Sequence, residues 1–372
     1  MIVRRHRSHQ TTKAPKGLGI DFVLAGGAGV GLGHIVRCAT IAAEAKQRGW
    51  SVRAFLDGDD AGLTTWQRLA GDSVVGSSRA WRPTTAHRLV ALDFPNEKSA
   101  WLERIERAGM ASLVIDDARV SSRASWTLLP GLHHAVESSH DDSDTSRGSP
   151  RVLSGPRYAI IPEAHRRCPR TPLYGRDRVL LSMGGADPHH LAPQIAPIAL
   201  RLLDRLSGRI PVAELDVVLG PAFEDPGDRI ARHLTSLGGH VYRGLDAASM
   251  AERMRSARIA LIGFGTSLTE LAWHGTPFLS VTHHAHDRAP ARDLEANGLG
   301  RVLGTAGELA PDRVERRLSR ALLDLEWQRT SRQRALSLIE GGLGTTRVLQ
   351  TLEANLPARR GAFSGIQLGG AA

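Results

Sequence analysis

The stretch Gly26-Gly27-Ala28-Gly29-Val30-Gly31-Leu32-Gly33-His34-Ile35-Val36-Arg37 decides how this chain folds. The apolar run Ile20 to Ala25 leads into it, and Ile35 to Arg48 leaves it with apolar residues at helical spacing. Gly49 supplies a helix stop and Ser51 to Leu56 returns as a strand, so the chain opens strand, glycine loop, helix, strand. Apolar runs at Arg88 to Leu92 and Ser112 to Ile115 then read as buried parallel strands. Each is followed by a polar turn with carboxylates, Asp93 in the first and Asp116 and Asp117 in the second.

Outward from this unit, residues 137–151 read ESSHDDSDTSRGSPR and hold almost nothing that could enter a core, which predicts a mobile exposed loop. After Tyr174 the alternation restarts, with strands expected at Val179 to Ser182, Leu215 to Leu219, His240 to Arg243, Ile259 to Ile262 and Phe278 to Val281. Pro311 to Leu338 reads as helical, and Thr345 to Leu356 as a terminal helix able to pack on either half. The expected organisation is a basic flexible tail (1–17), a first doubly wound α/β domain (18–170), a second (171–357) and a flexible tail (358–372).

The 372 residues are long enough for two such cores, and 41% hydrophobic with 23% charged residues is an ordinary globular balance. The charge-free run Phe22 to Val36 is too short and too glycine-rich to span a membrane. Of the net charge of +10, Arg4, Arg5, Arg7, Lys13 and Lys16 place five in the first sixteen residues, with no acid among them. Charge held in a tail does not describe a nucleic-acid face, so no nucleic-acid partner is expected. The tail is expected to be solvated, with an anionic membrane surface as a weak contact. Polar residues follow the basic start where a secretory signal needs an apolar core, and Cys38 and Cys168 form no disulfide or metal pattern, so a cytoplasmic location is expected.

Doubly wound sheets bind ligands beyond the carboxyl ends of their strands. Three such places stand out. At Gly31-Leu32-Gly33-His34-Ile35-Val36-Arg37, glycines admit close backbone approach and a helix start favours a neutral imidazole, which suits His34 to accept a proton. The competing dinucleotide fingerprint Gly-x-Gly-x-x-Gly fails here by spacing, although Asp57 after the second strand keeps it in play. At Ser182-Met183-Gly184-Gly185-Ala186-Asp187-Pro188, Asp187 can cap the next helix with Pro188 in its first turn. At Gly263-Phe264-Gly265-Thr266-Ser267-Leu268-Thr269-Glu270, amides and hydroxyls could hold a pyrophosphate and Glu270 a ribose, while Ser267-x-x-Glu270 equally fits a capping box. The run His283-His284-Ala285-His286-Asp287 invites a zinc reading, but no second ligand cluster accompanies it, so a polar loop without metal is expected. His133, His134, His189 and His190 read as surface residues, and Trp66, Trp81, Trp101 and Trp126 as core.

GLGHIVRC, LLSMGGADP and GFGTSLTELAWHGTP occur here in one order and spacing. In them the chain resembles the UDP-sugar hydrolases of pseudaminic acid biosynthesis (UDP-2,4-diacetamido-2,4,6-trideoxy-altropyranose hydrolase) and the related spore-coat polysaccharide proteins, from about Ile20 to about Val302 and including Gly155-Pro156-Arg157-Tyr158-Ala159. The resemblance implies the GT-B fold, two Rossmann-like domains facing a central cleft. It implies hydrolysis of a UDP-linked amino or deoxy sugar at the anomeric carbon, with glycosyl transfer as the alternative and no cofactor. It implies His34 as proton acceptor, Asp93 as an acid lining the sugar pocket, and Gly184, Gly185, Gly265, Thr266, Ser267 and Glu270 at the nucleotide. Gly31, Gly33 and Arg37 fall at the sugar and phosphate, with His286 and Asp287 where the family carries Asn-Gln. Phe94 and Pro95 replace a tyrosine the family carries after the acid, which implies a different sugar.

Overall fold

The computed structural model describes residues 18–356 apart from 29, 96–97, 118–121, 136–150, 213 and 340. Seven strands form the first sheet: β1 (Gly19–Gly26), β2 (Ser51–Gly58), β3 (Val74–Gly76), β4 (Leu89–Asp93), β5 (Ala111–Ile115), β6 (Trp126–Leu129) and β7 (Arg151–Ser154). Six form the second: β8 (Arg178–Ser182), β9 (Glu214–Leu219), β10 (His240–Arg243), β11 (Ala257–Gly263), β12 (Phe278–Thr282) and β13 (Arg301–Thr305). Both are parallel throughout, in the orders β3-β2-β1-β4-β5-β6-β7 and β10-β9-β8-β11-β12-β13. The order reverses between β1 and β4 in one sheet and between β8 and β11 in the other, and those switch points open crevices at the carboxyl strand ends. All three glycine-bearing turns singled out in the sequence lie there.

The helices are α1 (Gly33–Gln47), α2 (Asp60–Ala70), α3 (Ser99–Arg107), α4 (Glu163–Arg167), α5 (Leu191–Arg205), α6 (Arg229–Ser236), α7 (Ala247–Ser256), α8 (Ser267–His274), α9 (Arg288–Ala296), α10 (Pro311–Leu323), α11 (Leu325–Leu338) and α12 (Gly344–Asn355). Among the described residues no helix is long and apolar enough to cross a membrane. Helix α1 buries Ile35, Cys38, Ala39, Ile41, Ala42 and Ala45 against the first sheet, and Gly49 at φ 86° ends the turn after it. Trp66, Trp81 and Trp126 are buried, as the core reading expects.

Four expectations need correction or fall elsewhere. Pro311 to Leu338 is two helices, because Asp324 leaves helical geometry at ψ 80° and its carboxylate accepts the Trp327 amide hydrogen at 3.0 Å to start a new helix. Pro188 precedes α5 by three residues; the Asp187 carboxylate reaches over it to accept from the amides of Leu191 and Ala192, each at 2.8 Å. Helix α12 does not stay with the second sheet. Its Val348, Leu349 and Leu352 are fully buried in the first core, Thr346 donates to Glu44 at 2.5 Å, and Arg48 and Trp50 donate to Glu353 at 2.9 and 3.1 Å. The expected tails 1–17 and 358–372 and nearly all of the expected loop 137–151 lie outside the described residues, Arg151 opening β7.

The connector between the sheets is fastened to the second domain by Arg176, which is 4% exposed. Its guanidinium donates to the carbonyls of Thr171, Pro172, Ala257 and His274 and to Thr276 Oγ1. With carbonyls and a hydroxyl rather than a carboxylate in those bonds, burial pushes this arginine down to about 9, with Arg332, Arg255 and Arg258 adding.

Candidate active site

His34 is the second residue of α1, and Arg37 and Cys38 lie three and four positions on, the spacing that puts them on the same helical face. That face looks at the end of β4, where Asp93 sits 1% exposed. The His34 Nδ1 stands 2.5 Å from Asp93 Oδ1; Arg37 donates from Nε to Oδ2 at 2.6 Å and from Nη2 to Oδ1 at 2.7 Å, and the Cys38 thiol reaches Oδ2 at 3.4 Å. Burial alone would raise the Asp93 carboxyl, but the Arg37 guanidinium and His34 hold it well below the usual carboxylate range. An ionised Asp93 accepts only, so the hydrogen between it and His34 belongs to Nδ1, and Nε2 is left without a hydrogen-bond partner among the described residues. The imidazole is 24% exposed, enough for a ligand to reach it.

This geometry revises two residues. Asp93 does not line the cleft: both of its oxygens are occupied beneath His34, so it positions the imidazole. Arg37 touches the cleft wall, yet its Nε and both Nη nitrogens are taken, the remaining Nη1 by Asp116, so it organises carboxylates rather than gripping a phosphate. Asp116 is the residue the resemblance left without a role. It follows β5 at φ 60°, its side chain is 36% exposed, and it lines the cleft beside His34. The available signal was its place directly after a strand.

Across the cleft, β11 runs through Gly263 into the loop that starts α8. Ser267 is the first helical residue, Thr266 the cap without a side-chain bond, so the capping-box reading of Ser267 and Glu270 is not realised. Glu270 lies 7% exposed on the cleft wall, with the buried imidazole of His165 beside it, Nε2 3.9 Å from its Oε1. A Cβ on Gly263 would stand 2.6 Å from His283 Nε2 and 3.2 Å from the Met183 carbonyl, so this turn admits no side chain. The two helix starts meet: a Cβ on Gly33 would lie 3.3 Å from Thr266 Oγ1, and one on Gly185 2.9 Å from Leu32.

Between the domains runs a cleft of about 1860 Å³ lined by Gly31, Gly33, His34, Gly184, Gly185, Gly265, Thr266, Ser267 and Glu270, with His286 and Asp287 at its rim. Asp287 accepts the His284 amide at 3.1 Å, closing that turn, while His286 is 80% exposed. His133 and His134, expected at the surface, also line the cleft; the His133 ring lies 5.9 Å from Phe264. Among the described residues no three His, Cys, Asp or Glu side chains gather to hold a metal ion.

The chain is 24% identical over 297 residues to the spore coat polysaccharide biosynthesis protein SpsG of Bacillus subtilis (strain 168), covering 77% of this chain and 84% of that protein. No protein-family model matches. Similar solved structures include a ugt transferase from Siraitia grosvenorii in complex with UDP (TM-score 0.60, 13% identity, 90% of this chain and 99% of that one). MurG from Acinetobacter baumannii matches at TM-score 0.55 with 14% identity, over 91% of this chain and 100% of that one. UDP-GlcNAc 2-epimerase from Neisseria meningitidis bound to UDP-GlcNAc matches at TM-score 0.56 with 11% identity, over 91% and 100%.

Proposed function

Starting from a chain that has the GT-B fold and resembles the spore-coat polysaccharide proteins, we propose that it acts on a UDP-linked sugar, displacing UDP from the anomeric carbon with His34 as general base. The observation that carries this reading is the 2.5 Å contact of His34 Nδ1 with Asp93, which leaves Nε2 as the free ring nitrogen in a cleft that the start of α8 also lines. In the reaction Nε2 takes a proton from the attacking oxygen as that oxygen bonds to the anomeric carbon and the bond to UDP breaks. The leaving diphosphate is met by the helix start at Thr266 and Ser267, where amide dipoles favour negative charge. Glu270 accepts the ribose hydroxyls. In the first reading the attacking oxygen is water and the product a free amino or deoxy sugar for polysaccharide or nonulosonic acid assembly, as the sequence resemblance suggests. The second reading, glycosyl transfer, is favoured by the size of the cleft: about 1860 Å³ exceeds the roughly 300–1,000 Å³ of an ordinary small-molecule site and leaves room for an acceptor.

The test is a panel of UDP-amino sugars incubated with the protein, with and without cell lysate, and analysed by mass spectrometry. UDP with free sugar in buffer alone supports hydrolysis; a glycoside formed only with lysate supports transfer; no UDP in either discards both. His34→Asn should lower the productive rate by about 10² to 10⁴ and leave UDP affinity nearly unchanged. A variant that turns over at the full rate removes His34 as the base.

A further inference from the structure

Asp116 and Asp117 stand side by side after β5 and meet different surroundings. Asp117 is 6% exposed and accepts Lys98 Nζ at 2.9 Å, a buried ion pair that takes no part in the cleft wall. Asp116 lines the cleft with its side chain 36% exposed; Oδ2 accepts Arg37 Nη1, and Oδ1 has no hydrogen-bond partner among the described residues. Its backbone is held, the amide donating to the Leu128 carbonyl at 2.8 Å. The guanidinium that reaches Asp116 through Nη1 stands with Nη2 3.1 Å from His34 Nδ1 and 2.7 Å from Asp93 Oδ1. Asp116 and the proposed base are therefore one guanidinium apart on the same wall.

Charge decides what the free oxygen can take. Desolvation pushes the Asp116 carboxyl up, with the Asp93 charge adding, but the Arg37 guanidinium, helped by His133, holds it below the usual carboxylate range. Asp93 and Asp116 share the single charge of Arg37. With His34 unprotonated, as a base must be, the group of His34, Arg37, Asp93 and Asp116 carries one net negative charge. Of the two carboxylates it is Asp116 that reaches the cleft, Asp93 being 1% exposed. A diphosphate is repelled from such a place, and an ionised carboxylate, which only accepts, needs a donor. What remains of a UDP-sugar is the glycosyl unit, whose hydroxyls and amide N–H groups are donors. We infer that Asp116 is a specificity-determining residue, its free oxygen accepting a hydrogen bond from a hydroxyl or N–H of the glycosyl unit beside His34. The inference rests on the proposed reaction and deepens it by giving the sugar a contact on this wall.

The experiment uses the full chain and the UDP-amino sugar of the panel above that releases UDP. Binding of that UDP-sugar and of UDP is compared by calorimetry on His34→Asn, which lacks the base and so turns over slowly, with and without Asp116→Asn. Asp116→Asn should weaken the UDP-sugar about tenfold or more, the loss of a hydrogen bond to a charged group, and leave UDP unchanged, which also shows that the variant is folded. In the chain with His34 intact, Asp116→Asn should lower kcat/KM by at least the same factor. If Asp116 only braces Arg37, kcat falls while the ratio of the two affinities stays as it was; that result overturns the inference and leaves the reaction standing. Equal weakening of UDP and UDP-sugar overturns it as well. If no member of the panel releases UDP, the proposed reaction fails and the inference with it.

Discussion

In the proposed reaction His34 depends on Asp93, because the carboxylate takes Nδ1 and leaves Nε2 to face the ligand. Asp93→Asn removes that decision: an amide can donate to Nδ1 and turn the hydrogen outward to Nε2. The rate of UDP release should fall by about 10² to 10⁴, as for loss of the base itself. The same change leaves Arg37 facing Asp116 alone, and breaking a buried pair of this kind costs about 3–5 kcal/mol, readable in a denaturant titration. A variant with wild-type turnover would show that Asp93 does not orient the base. His274 supplies a pH signature of opposite chemistry. Burial holds its folded value at about 3, below the roughly 6.5 of an exposed histidine, so the unfolded chain binds the proton first. The stability it contributes is complete above about 6.5 and is lost as the pH falls toward 3, by about 2 kcal/mol at pH 5. His274→Gln should therefore lose less melting temperature between pH 7 and pH 5 than the wild type does; equal losses would place the acid sensitivity elsewhere. The place of His34 at a helix start was legible in the sequence, because a glycine turn opening a helix is a local pattern. Asp93 was visible only as a strand-end acid, and its burial under His34 depends on β1 and β4 being neighbours, a fact of sheet order that no local spacing contains.

Strand and helix patterns followed the same division. Parallel strands buried on both faces announce themselves as apolar runs, and β1, β2, β4, β5, β8 and β9 are found where those runs are. The short strands β3, β7 and β13 carry no such run: β3 has no buried residue, and β7 and β13 bury one each, Leu153 and Leu303. Helix α12 was readable as a helix but not as a partner of α1, since its destination is set by contacts some 300 positions away: Arg48 with Glu353 and Glu44 with Thr346. Leu349 is fully buried in the first core. Leu349→Ala should thus cost about 2–5 kcal/mol, and hydrogen exchange should report the loss in β1, α1 and β2 rather than in β8 to β13. Loosening confined to the second sheet would contradict the packing of α12.

Seen as two sheets facing one another, the protein places the proposed base, His34, on one side of the cleft and the helix start proposed for the diphosphate on the other, so the proposed reaction needs both domains. The basic residues of 1–16 lie outside the described residues. If water is the acceptor, deleting them leaves the rate of UDP release intact. If the acceptor is lipid-linked, the deletion should slow transfer on anionic vesicles at low salt far more than background hydrolysis, because each basic residue near such a surface contributes about 1 kcal/mol. Four rates decide it, from the full and shortened chains with and without vesicles carrying acceptor lipid. Release that needs both vesicles and the intact tail would set hydrolysis aside.

The return of α12 to the first domain also orders events during synthesis. The ribosome completes β7 at Ser154 but does not deliver Gly344 until roughly 190 residues later. At about 5–20 residues per second, the nascent first domain waits on the order of 10 to 40 s with the surface destined for Val348, Leu349 and Leu352 uncovered. Through that interval the apolar face of α1 that Val348, Leu349 and Leu352 later cover stays open to water, and the first core is complete only when α12 arrives.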